Sequence, residues 1–215
     1  MHEVAEAAYG DAPVCAGFAL SVLQGRPGAV VWVVQDRSWR THGAPCGAGL
    51  LAQGFDPGRL ILVEARKTID ALWAAEEAVR SGAAGAVVAE VEDADFTQTR
   101  RLSLVAEATG TPLILLLPYG REGATAAQAR WRVSARPSAP NRFDPRAPGA
   151  SRWRAVLERS RAAPAQVGRI FDLEYDDETL SLRLVSELAA GPVATHPISD
   201  AHRTSDTDLK EASCA

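Results

Sequence analysis

The sequence predicts a three-layer α/β domain whose mainly parallel central sheet continues into a C-terminal antiparallel extension. Two observations carry this expectation. Four short, continuously apolar runs recur at similar spacing with helical patterns between them, and beyond Tyr119 these runs give way to polar–apolar alternation.

The runs are AVVWVV (Ala29–Val34), LILV (Leu60–Val63), AVVAEV (Ala86–Val91) and LILLL (Leu113–Leu117). Continuous rather than alternating hydrophobicity implies strands covered on both faces. In TIDALWAAEEAVRSG, Ile69, Leu72, Trp73, Glu76 and Val79 follow helical spacing, with Thr68 as the expected N-cap and Gly82 as the stop. Glu76 and Arg80 can pair one turn apart. In TQTRRLSLVAEATG, Thr97 is the expected cap, Leu102, Val105 and Ala106 form the buried stripe, and Gly110 with Pro112 ends the helix.

The alternating segments ARWRVSA, SRWRAVLER, GRIFDLEYD and TLSLRLV read as antiparallel strands with one exposed face. Phe171, Leu173 and Tyr175 are expected to point one way, Asp172 and Glu174 the other, and the short YDDET connection makes a hairpin. RPSAPNRFDPRAPGAS, rich in proline, is expected to be a mobile loop. The domain is expected to span 1–185. Residues 186–215, polar and aperiodic from Gly191 onward, are expected to form a disordered tail.

Composition narrows the function classes. No run approaches the roughly 18 apolar residues of a membrane-spanning helix, and the start lacks a secretory pattern, so a cytoplasmic protein without membrane contact is expected. Cys15, Cys46 and Cys214 have no metal-ligand spacing, and His42 with Cys46 would supply only two ligands, so no metal is assigned. The formal charge of -4 is unevenly spread. Ten arginines lie between Arg130 and Arg169 against only Asp144 and Glu158, a pattern that fits either an anionic partner such as DNA or a solvated strand surface.

The stretch YGDAPVCAGFAL, residues 9–20, sits where a phosphate-binding loop would open a helix. A working loop has the form GxxxxGK[ST]. Here Gly10 and Gly17 are seven apart, and Phe18 and Ala19 stand where lysine and a magnesium-binding hydroxyl would be. Losing both charge-assisted contacts costs about 3 to 6 kcal/mol, roughly 100-fold to 10,000-fold in affinity. Asp11 would further repel a phosphate. Glu90, Glu92 and Asp93 could hold a metal as a Walker-B acid does, but without the lysine they read as solvated strand-end charges. GxSxG and HExxH are absent, and His2, His42, His196 and His202 form no triad pattern. No catalytic residue and no cofactor is therefore assigned.

Several segments together resemble the ImuA family: HEV (His2–Val4), GFAL (Gly17–Leu20), DPGRLILV (Asp56–Val63), ALWAAEEAVRSG (Ala71–Gly82), RRLSLVAEATGTPLILL (Arg100–Leu116), ARWRV (Ala129–Val133) and SRWRAVLERSR (Ser151–Arg161). The resemblance covers about residues 2–185. It implies a RecA-like core with a degenerate phosphate loop, in a cassette for SOS-induced mutagenesis after DNA damage. There the implied role is accessory and non-enzymatic, alongside ImuB, an inactive Y-family polymerase relative, and an error-prone polymerase III alpha-type subunit. The RecA filament or DNA are further implied partners. Division inhibition of the SulA type and a RecA-type ATPase are the alternatives. The residues expected to meet a partner or DNA are Arg130, Trp131, Arg132, Arg152, Trp153 and Arg154, because Trp and Arg dominate interface hot spots. Alternating strands that bury Trp and expose Arg would produce the same pattern.

Overall fold

The computed structural model describes residues 1–35, 40–144, 146–176 and 178–185. The expected tail, 186–215, lies outside the described residues, as do Cys214, His196 and His202. Among the described residues, nine strands form one mixed sheet: β1 (His2–Glu6), β2 (Val30–Gln35), β3 (Leu60–Ala65), β4 (Ala86–Glu90), β5 (Leu113–Leu117), β6 (Ala129–Arg136), β7 (Arg152–Ser160), β8 (Ile170–Asp176) and β9 (Ser181–Leu184). Their spatial order is β3-β2-β4-β5-β1-β6-β7-β8-β9. Pairings from β3 through β6 are parallel, and those from β6 through β9 are antiparallel, so the core and its extension follow the sequence expectation.

Helices lie on both faces of the parallel half. Helix α1 (Ala12–Leu23) packs Cys15, Phe18, Ala19, Leu20 and Leu23 into one core with Val30, Trp32, Val88 and Leu116. A short α2 (Gly47–Ala52) adds Leu50 to that core. The opposite face carries α3 (Thr68–Arg80) and α4 (Phe96–Thr109), whose Leu72, Ala75, Val79 and Leu102 cover Val33, Val87 and Leu115. Among the described residues, the antiparallel extension is covered on one face only. Trp153, Ala155 and Tyr175 join the α1 core there, with Phe171 and Leu173 packed against it as the alternation predicts.

Four local readings change. The N-cap of α4 is Asp95 rather than Thr97, because its carboxylate accepts from the Gln98 N–H while the Gln98 side chain accepts from the Asp95 N–H, satisfying two end groups at once. Thr68 is the first residue of α3, not its cap, and donates instead to the Gln35 side chain. Leu60–Val63 is an outer strand, so LILV is not covered on both faces, and Ile61 and Leu62 are exposed. In α3 the buried set is Ala71, Leu72, Ala75, Glu76 and Val79, whereas Ile69 and Trp73 face outward. The small alanines bring the helix close to the sheet and centre the buried stripe on themselves. Glu76, though buried, is paired with Arg80 and, at 2.7 Å, with Arg101.

The proline-rich connection between β6 and β7 is closed on itself. Ala139 donates to the Ala150 carbonyl at 2.9 Å, Pro140 and Pro148 bridge, and the Asn141 side chain accepts from Phe143 and Asp144. Asparagine's bonds to its own following backbone give this loop a defined turn.

Candidate strand-end cleft and arginine face

The carboxyl ends of β1, β4 and β5 meet the start of α1 around a cleft of about 390 Å³. Ligands of open parallel sheets sit at this position, outside the strand ends. Gly10, with φ 98°, makes the left-handed turn that brings the chain from β1 into α1. Asp11 is buried, and it does not cap the helix. One carboxylate oxygen accepts from the Ala8 N–H at 2.9 Å and the other from the Ala135 N–H at 3.1 Å, tying the turn to β6. Gly17, the second glycine of the stretch, serves packing instead. A Cβ there would lie 3.2 Å from the Trp153 ring.

The cleft walls are acidic. Glu6 ends β1 almost fully buried. Burial raises its carboxyl above the usual carboxylate range and Asp11 pushes the same way, while His42 and the N–H groups of Gly10 and Tyr119 oppose. Glu90 and Glu92 line the same cleft. Glu90 accepts from the Trp32 indole N–H at 2.5 Å, so it anchors a core tryptophan and is more than a solvated strand-end charge. Asp93 pairs with Arg121 at 2.8 Å. Burial pushes the Cys15 thiol far above its ordinary range, with Glu6 and Asp11 adding to the effect, so it supplies no thiolate at neutral pH. Cys46 is used locally, its sulfur accepting from the Gly49 N–H at 3.3 Å at the start of α2. Among the described residues, no group of three or more His, Cys, Asp or Glu side chains could hold a metal ion.

This chemistry disfavours a polyphosphate. The cleft offers carboxylates where a nucleotide would need a lysine and a magnesium-binding hydroxyl. Reading the loop alone found Asp11 but not Glu6. The only sequence signal for Glu6 is its position, the last residue of a strand that feeds directly into the loop.

The six arginines and tryptophans of β6 and β7 divide by face. Trp131 packs between Phe18 and Phe171, at ring-centroid distances of 6.1 and 5.7 Å, and Trp153 is buried beside Tyr175. Arg130, 7% exposed, donates to Glu3 at 2.7 Å and to the Gly123 carbonyl at 2.9 Å. Arg132 binds Glu158 and also reaches the carbonyls of Glu6 at 3.1 Å and Arg121 at 3.3 Å, fastening the strand ends around the cleft. Arg154 forms a two-pronged pair with Asp172, both contacts 2.8 Å. Arg152 reaches Glu174 at 2.6 Å, and Glu174 also takes Arg183 from β9. The other face of the extension therefore carries a ladder of cross-strand ion pairs through half-buried Arg132, Arg152 and Arg154, with Arg136 exposed beside them. The structure brings these four together and places Arg130 and both tryptophans inside.

No family model matches the chain. The chain is 36% identical over 211 residues to Protein ImuA from two strains of Caulobacter vibrioides, NA1000 / CB15N and ATCC 19089 / CIP 103742 / CB 15. Each alignment spans 90% of this chain and 83% of the relative. A crystal structure of SulA from Pseudomonas aeruginosa superposes at a TM-score of 0.42 with 20% identity, over 54% of this chain and 95% of that one. Among the described residues, no helix is long and apolar enough to cross a membrane.

Proposed function

The chain belongs to the ImuA family, and from that premise we propose that it is a non-catalytic accessory factor of SOS-induced, error-prone translesion DNA synthesis. Membership supports a role in the ImuA/ImuB mutagenesis system. In the proposed role it works with an ImuB-type inactive polymerase and an error-prone polymerase III alpha-type subunit in the cytoplasm, and it meets DNA through the arginine face of β6 and β7.

The observation that carries this reading is the strand-end cleft. Its buried Glu6, with Asp11 tied beside it, replaces the groups that would hold a nucleotide. In the proposed role the protein acts by binding. Ligand at one hundred times its dissociation constant would stabilise a true nucleotide site by about 2.7 kcal/mol, or roughly 5 to 10 °C in melting temperature for a domain of this size. The expected result is a melt unmoved by millimolar ATP with magnesium. A shift of that size would replace the accessory reading with an ATPase one.

The arginine face has its own check. Arg132→Ala together with Arg154→Ala is expected to weaken binding of a labelled single-stranded oligonucleotide at low salt, read by fluorescence anisotropy. Removing the Arg154 pair costs about 0.2 to 1 kcal/mol of stability, and Arg132 also gives up its bonds to the Glu6 and Arg121 carbonyls at about 0.5 to 1.5 kcal/mol each, so a thermal melt of the variant accompanies the measurement. Unchanged affinity would take this face out of the proposal.

A further inference from the structure

Where the β6–β7 loop leaves the antiparallel extension, the strand registers set Arg136 on β6, Arg152 on β7, Glu174 on β8 and Arg183 on β9 in one row, on the face opposite the α1 core. Neighbouring strands lie about 4.8 Å apart, so the four side chains stand side by side. Glu174 serves both Arg152 and Arg183, and Arg136 has no ion-pair partner among the described residues. Three arginines share one carboxylate, and Arg136 directly opposes Arg152, a like-charge pairing that an anion relieves. The next row inward is balanced, with Arg154 opposite Ser134 and Asp172. The positive excess of this face therefore lies beside the loop.

The loop presents an aromatic ring. Phe143 is 82% exposed, and its backbone is held in place: the Asn141 side chain accepts from the Phe143 N–H at 2.9 Å and donates to the Pro148 carbonyl at 3.1 Å. The Arg142 guanidinium lies 4.5 Å from the ring centroid, and it meets exposed Glu178 of the β8–β9 turn at 3.8 Å, which keeps the loop tip at the same end of the extension as the charged row. Arg146 is exposed as well. Two other carboxylates nearby are turned into their own backbone: Asp144 accepts from the Arg146 N–H at 2.9 Å, and Asp176 from the N–H groups of Glu178 and Thr179 at 3.0 Å.

Protein interfaces place their aromatic anchors in packed, dry pockets, whereas Phe143 is the one large apolar side chain of its loop and has no apolar rim. A nucleobase needs only an open ring face, with positive charge alongside for the backbone. We propose that Phe143 stacks on a base of single-stranded DNA whose phosphates run past Arg146, Arg136 and Arg152. This rests on the proposed contact of the arginine face with DNA and gives that contact a strand preference, because bases inside a duplex are stacked on one another and offer the ring no free face.

The test titrates the full chain at low salt into a single-stranded oligonucleotide carrying several 2-aminopurines, whose emission falls when an aromatic ring stacks on them, and into a duplex of the same sequence. The expected result is quenching on the single strand, binding about tenfold weaker with the quenching lost for Phe143→Ala, duplex affinity unmoved by that change, and recovery of both single-strand signals in Phe143→Trp. Thermal melts of the two variants should match the parent, since the side chain is exposed. Single-strand binding that brings no quenching, or that Phe143→Ala leaves unchanged, overturns the stacking and leaves the arginine face standing. No binding by the full chain overturns both. An equal loss on single strand and duplex refutes the strand preference and with it the proposal. If Phe143→Ala instead abolishes binding to a purified ImuB-type protein and leaves the oligonucleotide affinity unmoved, the ring belongs to a protein contact and the proposal falls.

Discussion

Replacing Arg130 with Met is expected to unfold the protein more readily than any change on the exposed arginine face. Glu3 lies in the middle of β1, fully buried between β5 and β6, and its partners are the Arg130 Nε at 2.7 Å and the Thr125 hydroxyl. Removing the guanidinium leaves a carboxylate in the interior with one neutral donor. Breaking one side of a buried ion pair costs about 3 to 5 kcal/mol. That is a large fraction of the roughly 5 to 15 kcal/mol by which a domain is stable. Part is returned, because Arg130 Nη2 is itself buried without a hydrogen-bond partner among the described residues. At about 2 to 4 °C per kcal/mol, the melting temperature should fall by roughly 6 to 20 °C. Urea unfolding should show a lower midpoint with an unchanged slope. The double change Glu3→Met with Arg130→Met removes both charges, so it should recover most of the loss. The Thr125 hydroxyl then has no acceptor, though it still accepts from the Ala127 N–H, and the Gly123 carbonyl loses its arginine donor, which keeps the double change about 1 to 3 kcal/mol below the parent. A single variant costing less than about 1 kcal/mol would refute the buried-pair argument.

Two further outcomes are expected. The folded-state carboxyl of Glu6 is raised above its unfolded value, so its contribution favours folding at low pH and is lost as pH rises through the folded pKa. Glu6→Gln should therefore raise the melting temperature at pH 7 to 8, with the gain fading toward pH 4; a gain that stays constant across this range would contradict the assignment. Iodoacetamide applied to the folded protein at pH 8 should label exposed Cys46 and spare Cys15 until denaturant is added, as peptide mass spectrometry would read; rapid native labelling of Cys15 would show that its burial is wrongly described.

Periodicity was enough for the architecture, because a strand covered on both faces and a strand covered on one leave different patterns over as few as five residues. It failed where burial depends on distant chain. Arg130 and Arg132 share one face of β6 and read identically, yet Arg130 is buried because Glu3, more than a hundred residues earlier, lies within its reach. Trp73 and Ile69 fit a buried stripe by spacing alone. Which side of α3 meets the sheet is decided by Ala71 and Ala75, small enough for close packing, and by the helix lying near the outermost strand. The missing lysine and hydroxyl of the loop were legible directly. The carboxylate that lines the cleft at the end of β1 was not, since Glu6 ends a strand with no motif around it.

The place of β1 in the sheet has a consequence for synthesis on the ribosome. It precedes the other eight described strands in the chain, yet its hydrogen-bonded neighbours are β5 and β6, beginning at Leu113 and Ala129. At about 5 to 20 residues per second, β1 waits roughly 6 to 25 s for both. During that interval the segment that will carry Val4, Ala5 and the Glu3 carboxylate in the core has no native partner strand. Pairings this remote in sequence slow the search for the native state, and they make the nascent chain, rather than the finished domain, the stage most exposed to aggregation.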